Sequence, residues 1–267
     1  MSETYSPMTP PPSYAPPTTS GPDAPEMSTP ETLANIFFEP GRTFEALRAR
    51  PRFLVATLLT ATMFLLFTFL LFQKINYNDM VRAAIESSPQ TAQLTDEQKE
   101  QAIAMQTKPV FKALAYVGPL VGIFLVLAVG AGIYLLGTMA MGKQMTYKQA
   151  LAVWAYSSFP TTVLLMLANI ILLFVNPPDI SEAATATRGL VHANLSVLVN
   201  RTERPVLATL LGTFDLFKIY GLFLAAIGLR KVARLSAGAA WTVVIIISLI
   251  GVLVAIVFAT VSGQPMA

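Results

Sequence analysis

The chain has 267 residues, 54% of them hydrophobic and only 12% charged, with a mean hydropathy of +0.59. Soluble domains carry about 25% charged residues, so this apolar excess excludes a purely water-soluble globule. Cysteine is absent and His192 is the one histidine, which removes disulfides, thiolate chemistry and Cys/His metal centres; the net charge of +3 reads as basic flanks of membrane spans rather than as a nucleic-acid surface.

Residues 1–30 contain nine prolines and no Lys or Arg. Such a segment buries too little apolar surface to repay its ordering and is expected to be a disordered tail, with no cleavable signal peptide in it. The alternative for Pro10, Pro11, Pro12, Pro16 and Pro17 is a polyproline II stretch docked in an aromatic groove. Over residues 31–52, Leu33, Ile36, Phe37, Phe44 and Leu47 recur at helical spacing, interrupted by Pro40 and Gly41, with Arg42, Arg48, Arg50 and Arg52 among or after them. That pattern predicts an amphipathic segment lying in the headgroup layer, with a plain soluble helix as the alternative.

Five apolar stretches then reach membrane length: 53–72, 113–138, 150–175, 206–229 and 239–261. The second is rich in glycine, and Gly118 and Gly122 have the spacing of a helix-packing pair, although Pro119 between them points to a helix start. The third contains Pro160, which removes a backbone hydrogen bond and predicts a kink. The fifth carries a small-residue ridge, Gly251, Ala255 and Ala259. Between the first two spans, residues 73–112 hold five acidic and five basic residues. Thr95 with Gln98 reads as a capping box, so helices over 78–87 and 96–107 are expected in a solvated hairpin. A second capping box, Thr146 with Gln149, precedes the third span, and Tyr147, Trp154 and Tyr156 suit a membrane-interface belt. Residues 176–205 read as a second long loop, in which Asn194 and Asn200 match the N-glycosylation pattern. Residues 262–267 read as a short tail.

The fourth stretch alone carries charges in its middle, Asp215 and Lys218. An unpaired Asp or Lys there costs roughly 2.5 to 3.5 kcal/mol on insertion scales, whereas the i, i+3 spacing places both on one face where they can pair. A structural pair locking the helix is one reading; binding of a proton, an ion or a headgroup is the other. Asn169 in the third span is the deep amide that could reach Asp215. No phosphate-binding lysine loop, GxSxG elbow, HExxH or dinucleotide fingerprint occurs, so no enzyme activity, cofactor or metal is read.

The segments LANIFFEPGRTFEALRARP (33–51), GKQMTYKQALAVWAYSSFP (142–160) and FDLFKIYGLFLAAIGLR (214–230) resemble the Yip domain (Ypt-interacting protein) family, in particular its bacterial branch. The resemblance implies an integral membrane protein of about five helices with a cytoplasmic N-terminus; eukaryotic relatives bind Rab-type GTPases and act in vesicle traffic.

The resulting expectation is an all-α, polytopic protein of the bacterial cytoplasmic membrane. An inside N-terminus puts nine basic residues, Arg42 to Arg52, Lys143, Lys148, Arg230, Lys231 and Arg234, in the cytoplasm. The function read is a scaffold or partner-binding module contacting membrane lipids and a protein partner of unspecified kind, with oligomers possible. The alternative is a transporter component using Asp215, Lys218 and Asn169.

Overall fold

The computed structural model describes residues 26–185, 189–201 and 203–265. Residues 1–25 of the expected N-terminal tail and residues 266–267 of the short C-terminal one lie outside them. Helix α1, Thr29–Asn35, starts on a capping box in which Ser28 and Glu31 satisfy each other's main-chain N–H groups. Helix α2, Pro40–Ala49, opens on Pro40. The proline expected to interrupt the pattern is therefore a start signal, since its missing N–H costs nothing at the first helical position. Helix α3 spans Leu54–Lys74, and Asn76 then caps α4, Tyr77–Ser87. A short 3-10 turn, Pro89–Thr91, leads to α5, Asp96–Gln106, which begins on the Thr95/Gln98 box.

Helix α6, Pro109–Ala140, starts four residues before the predicted span and runs straight through Pro119, so Gly118 and Gly122 lie inside it and not at its start. Helix α7, Tyr147–Val175, begins on the Thr146/Gln149 box and continues past Pro160. Helix α8, Ile180–Thr185, and a 3-10 turn, Leu195–Leu198, occupy the second loop. Then come α9, Pro205–Gly212, α10, Leu216–Val232, and α11, Ala237–Ser262. Among the described residues, four helices (α3, α6, α7 and α11) are long and apolar enough to cross a membrane.

Helix α7 is the centre: α3, α6 and α10 all pack on it, while α11 packs on α9, α10 and α6. The main core joins α2, α6, α7, α10 and α11 around Phe44, Leu47, Tyr156, Leu229 and Val244, all essentially inaccessible. A second cluster, with Phe67, Leu71, Met166 and Leu173, fills the opposite half of the bundle. These cores cover side chains of two predicted interface elements with protein. Helix α2 buries Phe44 and Leu47 against α7 and α10 instead of in lipid headgroups. Lys231 Nζ reaches Glu45 at 2.5 Å, and Gln149 donates to the Arg48 carbonyl at 2.9 Å. The amphipathic pattern is the one expected, but protein supplies the apolar surface. Tyr156 is fully buried rather than part of an interface belt, whereas Tyr147 is exposed and donates to the Ala128 carbonyl.

The two ends of the bundle differ. One carries α1, α2, the α6–α7 turn and the α10–α11 turn, and so gathers all nine of the basic residues counted above. The other carries the α4–α5 hairpin, which has its own small core of Val81, Ile85 and Ile103 and an Arg82–Glu100 pair at 2.6 Å. The end of α11 arrives beside it, where Gln264 donates to Ser88 at 3.2 Å.

Candidate functional site

The fourth predicted span is broken. Helix α9 ends at Gly212 and α10 restarts at Leu216, with Asp215 extended at φ −94°, ψ 131° as the N-cap. Aspartate is among the preferred N-caps, because its carboxylate satisfies main-chain N–H groups left open at a helix start. Here Oδ1 accepts the Lys218 backbone N–H at 3.0 Å. Asp215 thus holds the main chain of Lys218 at the first turn of α10. In an apolar surrounding this serves both groups, since the carboxylate gains a donor and the helix loses an orphan.

The break is stabilised from outside the helix. Leu216 N–H donates to the Ala193 carbonyl at 3.1 Å, and Asn194 and Asp215 form an antiparallel bridge in which Asn194 Nδ2 lies 3.5 Å from Asp215 Oδ2. Residues 189–194, expected in the second long loop, therefore fold back onto the spans. Asn169 holds the other side of that return. It is fully buried; its Oδ1 accepts from the N–H groups of Leu190 and Val191, the latter at 3.0 Å, and its Nδ2 donates to Leu165 O at 2.8 Å. Asn169 and Asp215 are joined through this loop, not by direct contact. Gly189 permits the approach, because its φ of +112° is open to glycine and a Cβ there would collide with Asn169 Oδ1.

Loop, α7 and the break enclose a cavity of about 210 Å³ lined by Asp215, Lys218, Asn194, His192, Thr161 and Thr162 among others. Burial and the nearby Arg201 push His192 below its ordinary value of 6.5, so the imidazole is neutral at pH 7. Arg201 touches its Nε2 from behind. Thr162 also lines a second, more apolar cleft of about 380 Å³ between α3, α6 and α7.

The predicted packing residues are placed unevenly. Gly118, Gly122 and Gly251 have nothing within 4 Å of where a Cβ would stand, whereas Ala259 is fully buried and Ala255 half-buried. Close approach occurs instead at Gly130 under Trp154, Gly137 under Val243, and Gly228 between Val153 and Phe44. Nothing in spacing singles these out, because the partner of each lies on another helix. Pro160 is buried in α7, where its missing N–H leaves the Tyr156 carbonyl without its helical donor while the helix continues.

The family described as the Yip1 domain matches residues 34–259, nearly the whole bundle from α1 to the end of α11. The chain belongs to the Yip1 domain family. It is also similar to "Membrane protein YknW" of Bacillus subtilis (strain 168), 29% identical over 232 residues, which covers 87% of this chain and 90% of the relative. No solved structure matches it. The three segments that suggested the family fall on α1–α2, on the start of α7 and on α10, which are the elements that meet in the main core of this Yip1 domain.

Proposed function

We propose that this Yip1 domain membrane protein is a scaffold that binds a protein partner through its extramembrane helices and carries out no catalysis. One observation supports this best: the deep polar side chains Asp215 and Asn169 each hold the protein's own backbone. Asp215 caps α10 and Asn169 clamps residues 190 and 191. Groups used this way hold a shape, and the shape presents the α4–α5 hairpin at one end and α1–α2 at the other.

Orientation belongs to the same reading. The nine basic residues gathered at the α1–α2 end favour that end in the cytoplasm of a bacterial cell, with the hairpin on the far side of the cytoplasmic membrane. Photocrosslinkers at exposed hairpin positions such as Glu97 and Gln101, and at Arg42 on α2, test the proposal in intact cells. A discrete protein adduct at either face is expected; lipid adducts alone from every position would refute it.

The broken α9–α10 helix and the cavity beside it favour a second reading, a transporter component, because discontinuous helices meeting a loop near mid-membrane are a recurring way to build a substrate site. Solute flux into proteoliposomes that stops with Asp215→Ala would select this reading over the scaffold.

A further inference from the structure

Among the described residues that line it, Asp215 and Lys218 bring two opposite charges to the cavity under residues 189–194. Asp215 is the N-cap of α10 and Lys218 stands three residues on, and both line the same space of about 210 Å³. The neutral His192 adds no charge to that wall. A simple anion or cation entering this half-buried site brings net charge that must be desolvated. A molecule carrying both signs meets both residues and brings none.

The hydrogen-bonding capacity agrees. Asp215 commits Oδ1 to the Lys218 N–H at 3.0 Å, and its Oδ2 is reached by Asn194 at 3.5 Å, the outer limit of a hydrogen bond. A carboxylate offers about four acceptor positions, so Asp215 retains room for an ammonium N–H. Thr161 donates its hydroxyl proton to the Ser158 carbonyl at 2.7 Å, which turns the remaining lone pairs of its oxygen into acceptors at the cavity wall. Size narrows the choice further: about 210 Å³ lies below the roughly 300 to 1,000 Å³ of sites for drug-sized ligands, so the occupant is a small polar group.

We propose that this cavity binds a small zwitterion bearing a primary ammonium and a phosphate, the ammonium on Asp215 and the phosphate at Lys218. Such a group reaches the site either as the headgroup of an aminophospholipid or as a free aminoalkyl phosphate. Thr162, shared with the apolar cleft of about 380 Å³, sets a hydrocarbon-lined slot next to the polar cavity, a neighbour that suits a lipid. The site stands independently of any protein partner.

The test uses the full-length protein in nanodiscs made from equal parts phosphatidylethanolamine, phosphatidylcholine and phosphatidylglycerol, with retained lipids counted by native mass spectrometry after detergent release. Phosphatidylcholine keeps the phosphate and positive charge but has no N–H, and phosphatidylglycerol has no cation. Ethanolamine lipid is expected to be enriched about tenfold over both, a difference within reach of one charge-assisted contact. Asp215→Asn removes the charge and keeps an equally good N-cap, so the enrichment should disappear with the melting temperature unchanged. Lys218→Gln, which leaves the cap in place, should abolish it as well and serves if the first variant does not fold. Calorimetry with O-phosphoethanolamine separates the sources: saturable binding lost in Asp215→Asn, without lipid enrichment, assigns the free phosphate. Equal retention of the three lipids with no calorimetric binding, preference for phosphatidylglycerol, or binding that survives both substitutions would overturn the proposal.

Discussion

Asp215 acts on stability through geometry as much as through charge. Its Oδ1 satisfies the first turn of α10, so Asp215→Ala should cost about 1 kcal/mol for the lost cap, while Asp215→Asn should stay near wild type. Thermal unfolding in detergent measures both. If Lys218 depends on the carboxylate as well, adding Lys218→Ala to Asp215→Ala should recover part of the loss. The glycines give a second contrast at this scale. A Cβ at Gly228 would sit 2.9 Å from Val153 and 3.0 Å from Phe44, whereas Gly118 has open space. Gly228→Ala should therefore destabilise by about 1 to 3 kcal/mol, and Gly118→Ala should raise stability by about 0.5 to 1 kcal/mol, as alanine does in an unobstructed helix. A loss at Gly118 in the same unfolding assay would mean that its open face is occupied by a second copy.

Two elements owe their form to partners distant in sequence. Helix α2 is fastened by Phe44, fully buried beneath Gly228. Phe44→Ala should cost about 3 to 5 kcal/mol, and protease cleavage near residues 50–53 should become faster as α2 lifts from α7 and α10. The folded-back loop has a pH response of predictable sign. His192 titrates below 6.5 when folded because of burial and Arg201, opposed by a hydrogen bond to the Leu190 backbone and by Glu182. In the window just below 6.5 the unfolded loop therefore binds more protons than the folded one. The stability it contributes is complete above that window and is lost as pH falls towards the folded value. Amide exchange of residues 189–194, compared after correction for its intrinsic pH dependence, should show protection falling between pH 7.5 and 5.5, and His192→Gln should flatten that dependence.

These elements also mark how far the residues alone could lead. Helices α3, α6, α7 and α11 were legible because long apolar runs have few alternatives in lipid, and the starts of α5 and α7 because capping boxes are local. The break before Asp215 was not, since hydropathy averages over the apolar neighbours Phe214 and Leu216; the one local hint was an aspartate directly ahead of a helical run. The fate of α2 was illegible for another reason, as an amphipathic face looks the same whether lipid or protein covers it. The deep polar residues Asp215, Lys218 and Asn169 could be named, but their arrangement depends on residues 189–194 returning to the bundle, which spacing does not encode.

At the scale of the molecule, the bundle separates its chain ends. Helices α1 and α2 lie at the end rich in arginine and lysine, and the end of α11 reaches the hairpin, where Gln264 contacts Ser88. With the basic end inside, a phosphatase reporter fused after Ala267 should be active outside the cytoplasm; a reporter active solely inside would reverse the orientation.

The rods of this bundle are of unequal height. Helix α6 has 32 residues and α3 has 21, about 48 and 32 Å long at 1.5 Å per residue, against a hydrocarbon layer of about 30 Å. The longer rod meets the layer by tilting or by reaching into the headgroups, whereas the shorter one matches it upright. Membranes of different thickness should therefore suit its rods unequally and sort the protein accordingly.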